Sequence, residues 1–110
     1  MTPGDDRVYG LQAALCKALG HPVRMKVLDL LRDGEECVCR LAPRAGVTES
    51  NLSQLLAALR RAGIVDTRRE GHSIYYRVRD RRIFEVIDHM RAILADQLSR
   101  ADNLTMLFQA

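Results

Sequence analysis

TESNLSQLLAALRRAGIVDTRREGHSIYYRVR, residues 48–79, changes its hydrophobic period half-way along, and that change decides the fold. Leu52, Leu55, Leu56 and Leu59 recur at helical spacing, so a helix runs from about 49 to 62. Thr48 has the short hydroxyl side chain of an N-cap, and Gly63 stops the helix. Ile64 and Val65 then lead into a polar strand, and Glu70-Gly71-His72 supplies a tight turn. From Ser73 to Arg79 the pattern alternates, with Ile74, Tyr76 and Val78 on one face and Tyr75, Arg77 and Arg79 on the other. Residues 64–79 are therefore expected to form a β-hairpin.

Working outward, a short helix is expected over about 38–44, with Val38, Leu41 and Ala42 turned inward. Pro43 lacks a backbone donor and should fray or shorten it, and Ala45-Gly46-Val47 forms the following turn. Two helices joined by a Gly-containing turn, over 38–62, make a helix-turn-helix, and the Arg-rich hairpin behind them is a wing. Upstream, Val8, Leu11, Leu15 and Leu19 mark a first helix over 7–19. Gly20 ends that helix and Pro22 starts a second one, which carries Val23, Val27, Leu30 and Leu31. Downstream, Asp80 is placed to cap a long helix over 80–105, with apolar residues Ile83, Ile87, Met90, Leu94, Leu98 and Ala101. So small a domain cannot cover that whole stripe, which implies a second copy of the chain as partner. The expected fold is mainly α with a β-hairpin wing: a single winged helix-turn-helix domain over 1–110, with about five helices, in a homodimer.

A chain of 110 residues with 47% hydrophobic residues is long enough for one packed core, built from aliphatic side chains because aromatics make up only 5%. No stretch approaches the roughly 18 consecutive apolar residues of a membrane span. The start, Met-Thr-Pro-Gly-Asp-Asp, has no secretory pattern, so the expected location is the cytoplasm, with the three Cys as reduced thiols. No Cys has an evident His and carboxylate arrangement and no phosphate loop is present, so an enzyme is not expected. The net charge of +3 is uneven: residues 60–82 hold eight Arg against Asp66, Glu70 and Asp80, a local charge of +5. A concentrated basic face is the footprint of a phosphate-binding protein.

These features point to double-stranded DNA. The N-terminal residues of the second helix of the motif would face base edges in the major groove. Thr48, Ser50, Asn51, Ser53 and Gln54 are short or planar donors and acceptors suited to that task, and Asn and Gln can pair both edge atoms of adenine. Arg68, Arg69 and His72 at the wing would meet phosphates or the minor groove, adding affinity more than sequence preference.

Three segments taken together resemble the ArsR–SmtB family of metal- or metalloid-responsive repressors: Ala18-Leu19-Gly20-His21-Pro22-Val23-Arg24; Ser50-Asn51-Leu52-Ser53-Gln54 with Leu59-Arg60-Arg61-Ala62-Gly63-Ile64-Val65; and Arg68-Arg69-Glu70-Gly71-His72 with Tyr75-Tyr76. The resemblance spans about residues 11–95 and implies a homodimeric repressor that leaves its operator when an inducer binds. Many relatives have His where this chain has Leu55, a departure that bears on base preference.

Glu36-Cys37-Val38-Cys39 carries the sharpest chemistry. Cys residues two apart diverge on a regular helix. At a helix start, where Cys37 occupies the N-cap position, the backbone still turns and both sulfurs can lean toward one ion. The helix N-terminus favours the thiolate, and thiolates select soft ions. The pair resembles the thiolate site of the family's arsenic- and cadmium- or lead-sensing members. That likeness implies As(III) or Sb(III), arsenite or antimonite, as inducer, with Cd(II) or Pb(II) second and no cofactor needed for DNA binding. The third Cys of the arsenic pattern is replaced by Ala42, and residues 1–15 hold none. Cys16, within or across chains, a small cellular thiol or Glu36 would have to complete the site, and Cys16 is the economical choice. The family's Asp-x-His pattern is absent, and Asp88-His89-Met90 does not replace it. A second reading keeps the DNA-binding repressor and makes the thiols a redox or persulfide switch.

Overall fold

The computed structural model describes residues 2 and 4–100. One compact unit ends at Asp80 and holds α1 (Asp6–Leu19), α2 (Pro22–Leu30), β1 (Glu36–Cys37), α3 (Val38–Ala45), α4 (Glu49–Arg61), β2 (Val65–Glu70) and β3 (Ser73–Val78). The second unit begins at Arg81 and contains α5 (Arg82–Ser99). Among the described residues no helix is long and apolar enough to cross a membrane.

The core of the first unit is aliphatic. Val27, Leu28 and Leu31 from α2 and its cap, Leu41 from α3, Leu52, Leu56 and Leu59 from α4, and Val65 from β2 are all fully buried. Excluding these side chains from water is the main force holding the three central helices together, at about 1.5–3 kcal/mol for each fully buried aliphatic. α1 joins this core only at its last turn, through Ala18 and Leu19, while Leu11 and Leu15 of the expected stripe stand exposed beside Tyr9.

Local signals set the element ends. The Asp5 carboxylate accepts the Arg7 N–H and starts α1, and His21 Nδ1 accepts the Val23 N–H and starts α2 ahead of Pro22. α3 runs two residues past Pro43, so the proline does not end it; Gly46, at φ 77°, does. The Val47 N–H returns to the Ala42 carbonyl at 3.1 Å, an αL cap that a β-carbon would strain. That cap makes the turn between α3 and α4.

The wing is an antiparallel hairpin from Val65 opposite Val78 to Glu70 opposite Ser73, closed by Gly71 and His72. Gly71 has φ 61° at the first turn position, as the favoured two-residue turns require. The sequence pattern did not foretell a third strand. β1 pairs antiparallel with β3, Glu36 opposite Tyr76 and Cys37 opposite Tyr75, giving the order β1-β3-β2.

α5 differs from expectation at both ends. Its N-cap position is Arg81 rather than Asp80; Arg81 already takes helical torsions and its own side chain makes no cap bond. The helix closes at Ser99, with Arg100 extended. Ala101 and residues 101–105 of the expected helix lie outside the described residues. Along α5, Met90, Leu94 and Leu98 are exposed, as are Val86 and Ile93.

Candidate nucleic-acid interface and thiol site

α4 is divided between packing and presentation. With Leu52, Leu56 and Leu59 inside, Ser50, Asn51 and Gln54 stand exposed on the opposite side of its first turns. The Thr48 hydroxyl accepts the Asn51 N–H at 3.1 Å, fixing the start of the helix. Ser53 is half-buried, whereas Tyr76 of β3 is buried. Burial raises the Tyr76 phenol pKa, against the lowering influence of the Arg60 charge and of the Ser53 hydroxyl. Ser50, Asn51 and Gln54 thus form the exposed face at the start of α4, with Ser53 set back from it.

The wing arginines fall into two kinds. Arg68 donates to Glu35 at 2.6 and 2.8 Å and to Glu70 at 2.8 Å, and its guanidinium lies 4.5 Å from the Tyr75 ring centre. The Arg68 hydrogen bond holds the Glu35 carboxyl below its ordinary pKa, and Glu35 and then Glu70 raise that of the guanidinium. Arg77 and Arg79 share Asp66, and the Arg79 hydrogen bond lowers its pKa. Arg69 and His72 are exposed, with no ion pair among the described residues. Arg60, at the end of α4, is likewise exposed and unpaired among them. Arg68, Arg77 and Arg79 are therefore held by carboxylates, and the wing-strand arginine with no ion pair among the described residues is Arg69. Sequence reasoning missed the Glu35 clamp, because 33 residues separate Glu35 from Arg68 and only the unforeseen pairing of β1 with β3 brings them together.

The cysteines separate likewise. Cys37 is the N-cap of α3, with extended φ −70° and ψ 140°, and its sulfur accepts the Cys39 N–H at 3.1 Å. This turn sets the two Cα atoms 5.1 Å apart and joins the sulfurs as a disulfide, in place of the separate thiols expected from the sequence. Cys37 is only 3% exposed, whereas Cys39 is exposed. Cys37 also belongs to β1, so one residue caps the first helix of the motif and pairs with the wing at Tyr75. Cys16 is a free, exposed thiol on α1 rather than part of the core. Among the described residues of one chain, no three His, Cys, Asp or Glu side chains converge as a metal cluster.

A three-helix core carrying a helix-turn-helix and a β-hairpin defines a winged helix-turn-helix, a class of DNA-binding regulator. Residues 21–67 match the bacterial regulatory protein, arsR family. The chain is 40% identical over 93 residues to the HTH-type transcriptional regulator Rv0081 of Mycobacterium tuberculosis, covering 84% of this chain and 82% of that one. The crystal structure of Rv0081 superposes with a TM-score of 0.76 at 38% identity, over 86% of this chain and 96% of the other. A biofilm growth-associated repressor of Agrobacterium fabrum is 41% identical over 81 residues, 74% of this chain and 69% of the relative. The solution structure of Mb0332 from Mycobacterium bovis, described as a homodimeric winged helix-turn-helix DNA-binding domain, has a TM-score of 0.75 at 31% identity, over 89% of this chain and 94% of that one. The chain belongs to the ArsR family of transcriptional regulators; it is a DNA-binding regulator and not an enzyme.

Proposed function

We propose that this chain is a homodimeric transcriptional repressor whose hold on its operator is set by the chemical state of Cys37 and Cys39. The observation that carries the reading is the position of Cys37, shared between the cap of α3 and the strand beside the wing. A change at its sulfur acts at once on the start of the helix-turn-helix and on the hairpin that flanks it. The exposed apolar residues of α5 and the homodimeric description of Mb0332 support the dimer. Two recognition helices then meet half-sites about one helical turn apart. Ser50, Asn51 and Gln54 read bases, Thr48 and Ser53 position their helix, and Arg69 and His72 meet the backbone.

The paired sulfurs favour oxidation as the switch. The exposed Cys39 thiolate attacks a peroxide oxygen; the O–O bond breaks, the leaving hydroxide takes a proton to become water, and Cys39 becomes a sulfenic acid. The Cys37 thiolate then attacks that sulfur and expels a second hydroxide, protonated to water. Two thiols lose two electrons and the peroxide gains them. A persulfide donor would enter by the same exposed sulfur. The thiophilic-ion reading, with As(III) or Sb(III) before Cd(II) or Pb(II), requires a third donor, and the free thiol of Cys16 in the partner chain is its candidate.

The test is fluorescence anisotropy on a duplex selected from random DNA by the reduced protein. Cys37→Ser and Cys39→Ser should bind it normally yet keep it when treated with hydrogen peroxide, which releases the wild type. If both variants still release DNA, the thiol pair is not the switch. Release of the wild type by arsenite, lost in Cys16→Ser, would move the assignment to an ion held across the dimer.

A further inference from the structure

A cleft of about 340 Å³ opens between α1, α2 and α4, away from Ser50, Asn51 and Gln54. Its apolar lining is small: Ala14 and Ala18 from α1, with Ala58 and Ala62 from α4 and its cap. Three cations complete it: Lys17, Arg24 and Arg61. On the wing Arg68, Arg77 and Arg79 each find a carboxylate. These three have none among the described residues.

Lys17 and Arg61 each lie in the last turn of a helix, where carbonyl ends favour a cation. That accounts for each singly, but not for Arg24. Arg24 is the third residue of α2, at the positive end of a helix whose first turn holds no acid. Its Nη1 reaches only the Leu55 carbonyl, at 3.4 Å, and its Nε is buried without a hydrogen bond. A half-buried guanidinium at a helix N-terminus, flanked by two further cations, is electrostatically unfavourable unless an anion shares the space. The volume lies within the range of about 300–1,000 Å³ typical of small-molecule sites.

We propose that this cleft binds an oxyanion, with Arg24, Lys17 and Arg61 as its ligands and the four alanines accommodating a compact apolar body. The ligand chemistry is that of a phosphate ester, supplied either by a free small molecule or by the DNA backbone. The proposal does not depend on the thiol switch.

Phenyl phosphate titrated into the full-length protein at about 0.15 M salt, where exposed charges are screened beyond roughly 8 Å, tests it by NMR. The expected result is saturable shifts of the Ala14, Ala18, Ala58 and Ala62 methyls, with none from neutral benzyl alcohol. Because Lys17 and Arg61 are exposed, the double variant Lys17→Ala/Arg61→Ala should fold, and it should bind about tenfold more weakly or worse. No saturable shift, equal shifts in the double variant, or equal shifts with benzyl alcohol would overturn the proposal. A selected duplex that moves the same methyls, and is displaced from them by phenyl phosphate, assigns the oxyanion to DNA. A bound duplex that leaves them in place assigns it to a free small molecule.

Discussion

Replacing Arg69 by Ala removes the one wing-strand cation that is exposed and unpaired among the described residues, whereas replacing Arg68 removes one already held by Glu35 and Glu70. Neighbouring arginines should therefore behave differently toward DNA. In a homodimer each substitution acts twice, so Arg69→Ala deletes two phosphate contacts and should flatten the slope of log K against log salt by about 1.8, at roughly 0.9 per contact. Between about 50 and 200 mM salt the wild type should then lose roughly tenfold more affinity than the variant. Arg68→Ala deletes no phosphate contact and should leave that slope unchanged. Its effect should appear in the free protein as faster amide exchange in β2 and β3, because the clamp between β2 and Glu35, the residue before β1, is gone. Fluorescence anisotropy at four or five salt concentrations, on selected and on random duplexes, measures both slopes. If Arg68→Ala flattens the slope as much as Arg69→Ala, Arg68 leaves its carboxylates for phosphate on binding, and the division of the wing into clamped and free arginines is wrong.

Other consequences follow from the same geometry. Gln54→Ala should weaken the selected duplex by about 1–3 kcal/mol and leave random DNA unaffected, as expected of a base contact; equal losses on both duplexes would remove Gln54 from sequence readout. Leu94→Asp puts a charge into the exposed stripe of α5 and should dissociate the dimer, an unpaired charge in a buried seam costing several kcal/mol. Sedimentation should then report a monomer that no longer binds the selected duplex, and a dimer of unchanged affinity would place the interface elsewhere. Since the Arg68 hydrogen bond depresses the Glu35 pKa, the clamp's contribution is present above the ordinary carboxylate range and fades as pH falls through the lowered folded value. NMR titration of Glu35 should give a midpoint below the usual value of about 4.3 that moves up in Arg68→Ala; identical midpoints in the two proteins would dissolve the pair.

What was legible in the sequence was whatever a local period or cap encodes. The stripe of Leu52, Leu55, Leu56 and Leu59, the Thr48 cap and the alternation ending at Val78 are written in neighbouring residues, and the structure realises them, with Leu55 only half-buried. The Cys37 cap was legible for the same reason. β1 was not: two residues have no period, and one of them doubles as a helix cap. With β1 unseen, the Glu35 clamp on Arg68 was out of reach, and both wing arginines read alike. The half-burial of Ser53 was hidden similarly, since a hydroxyl near a helix start looks the same in the sequence whether it is exposed or packed. The anion cleft depends on three cations drawn from three helices, a convergence with no sequence period.

The central claim is that the state of Cys37 and Cys39 sets the affinity for DNA. The most direct measurement titrates one selected duplex with the same protein in two forms: fully reduced, and oxidised by hydrogen peroxide to an intramolecular disulfide verified by mass. A coupling of about 1–3 kcal/mol predicts that the oxidised form binds roughly 5- to 150-fold more weakly. Equal affinities of the two forms, with the Cys37–Cys39 bond confirmed in one and absent from the other, would contradict the account.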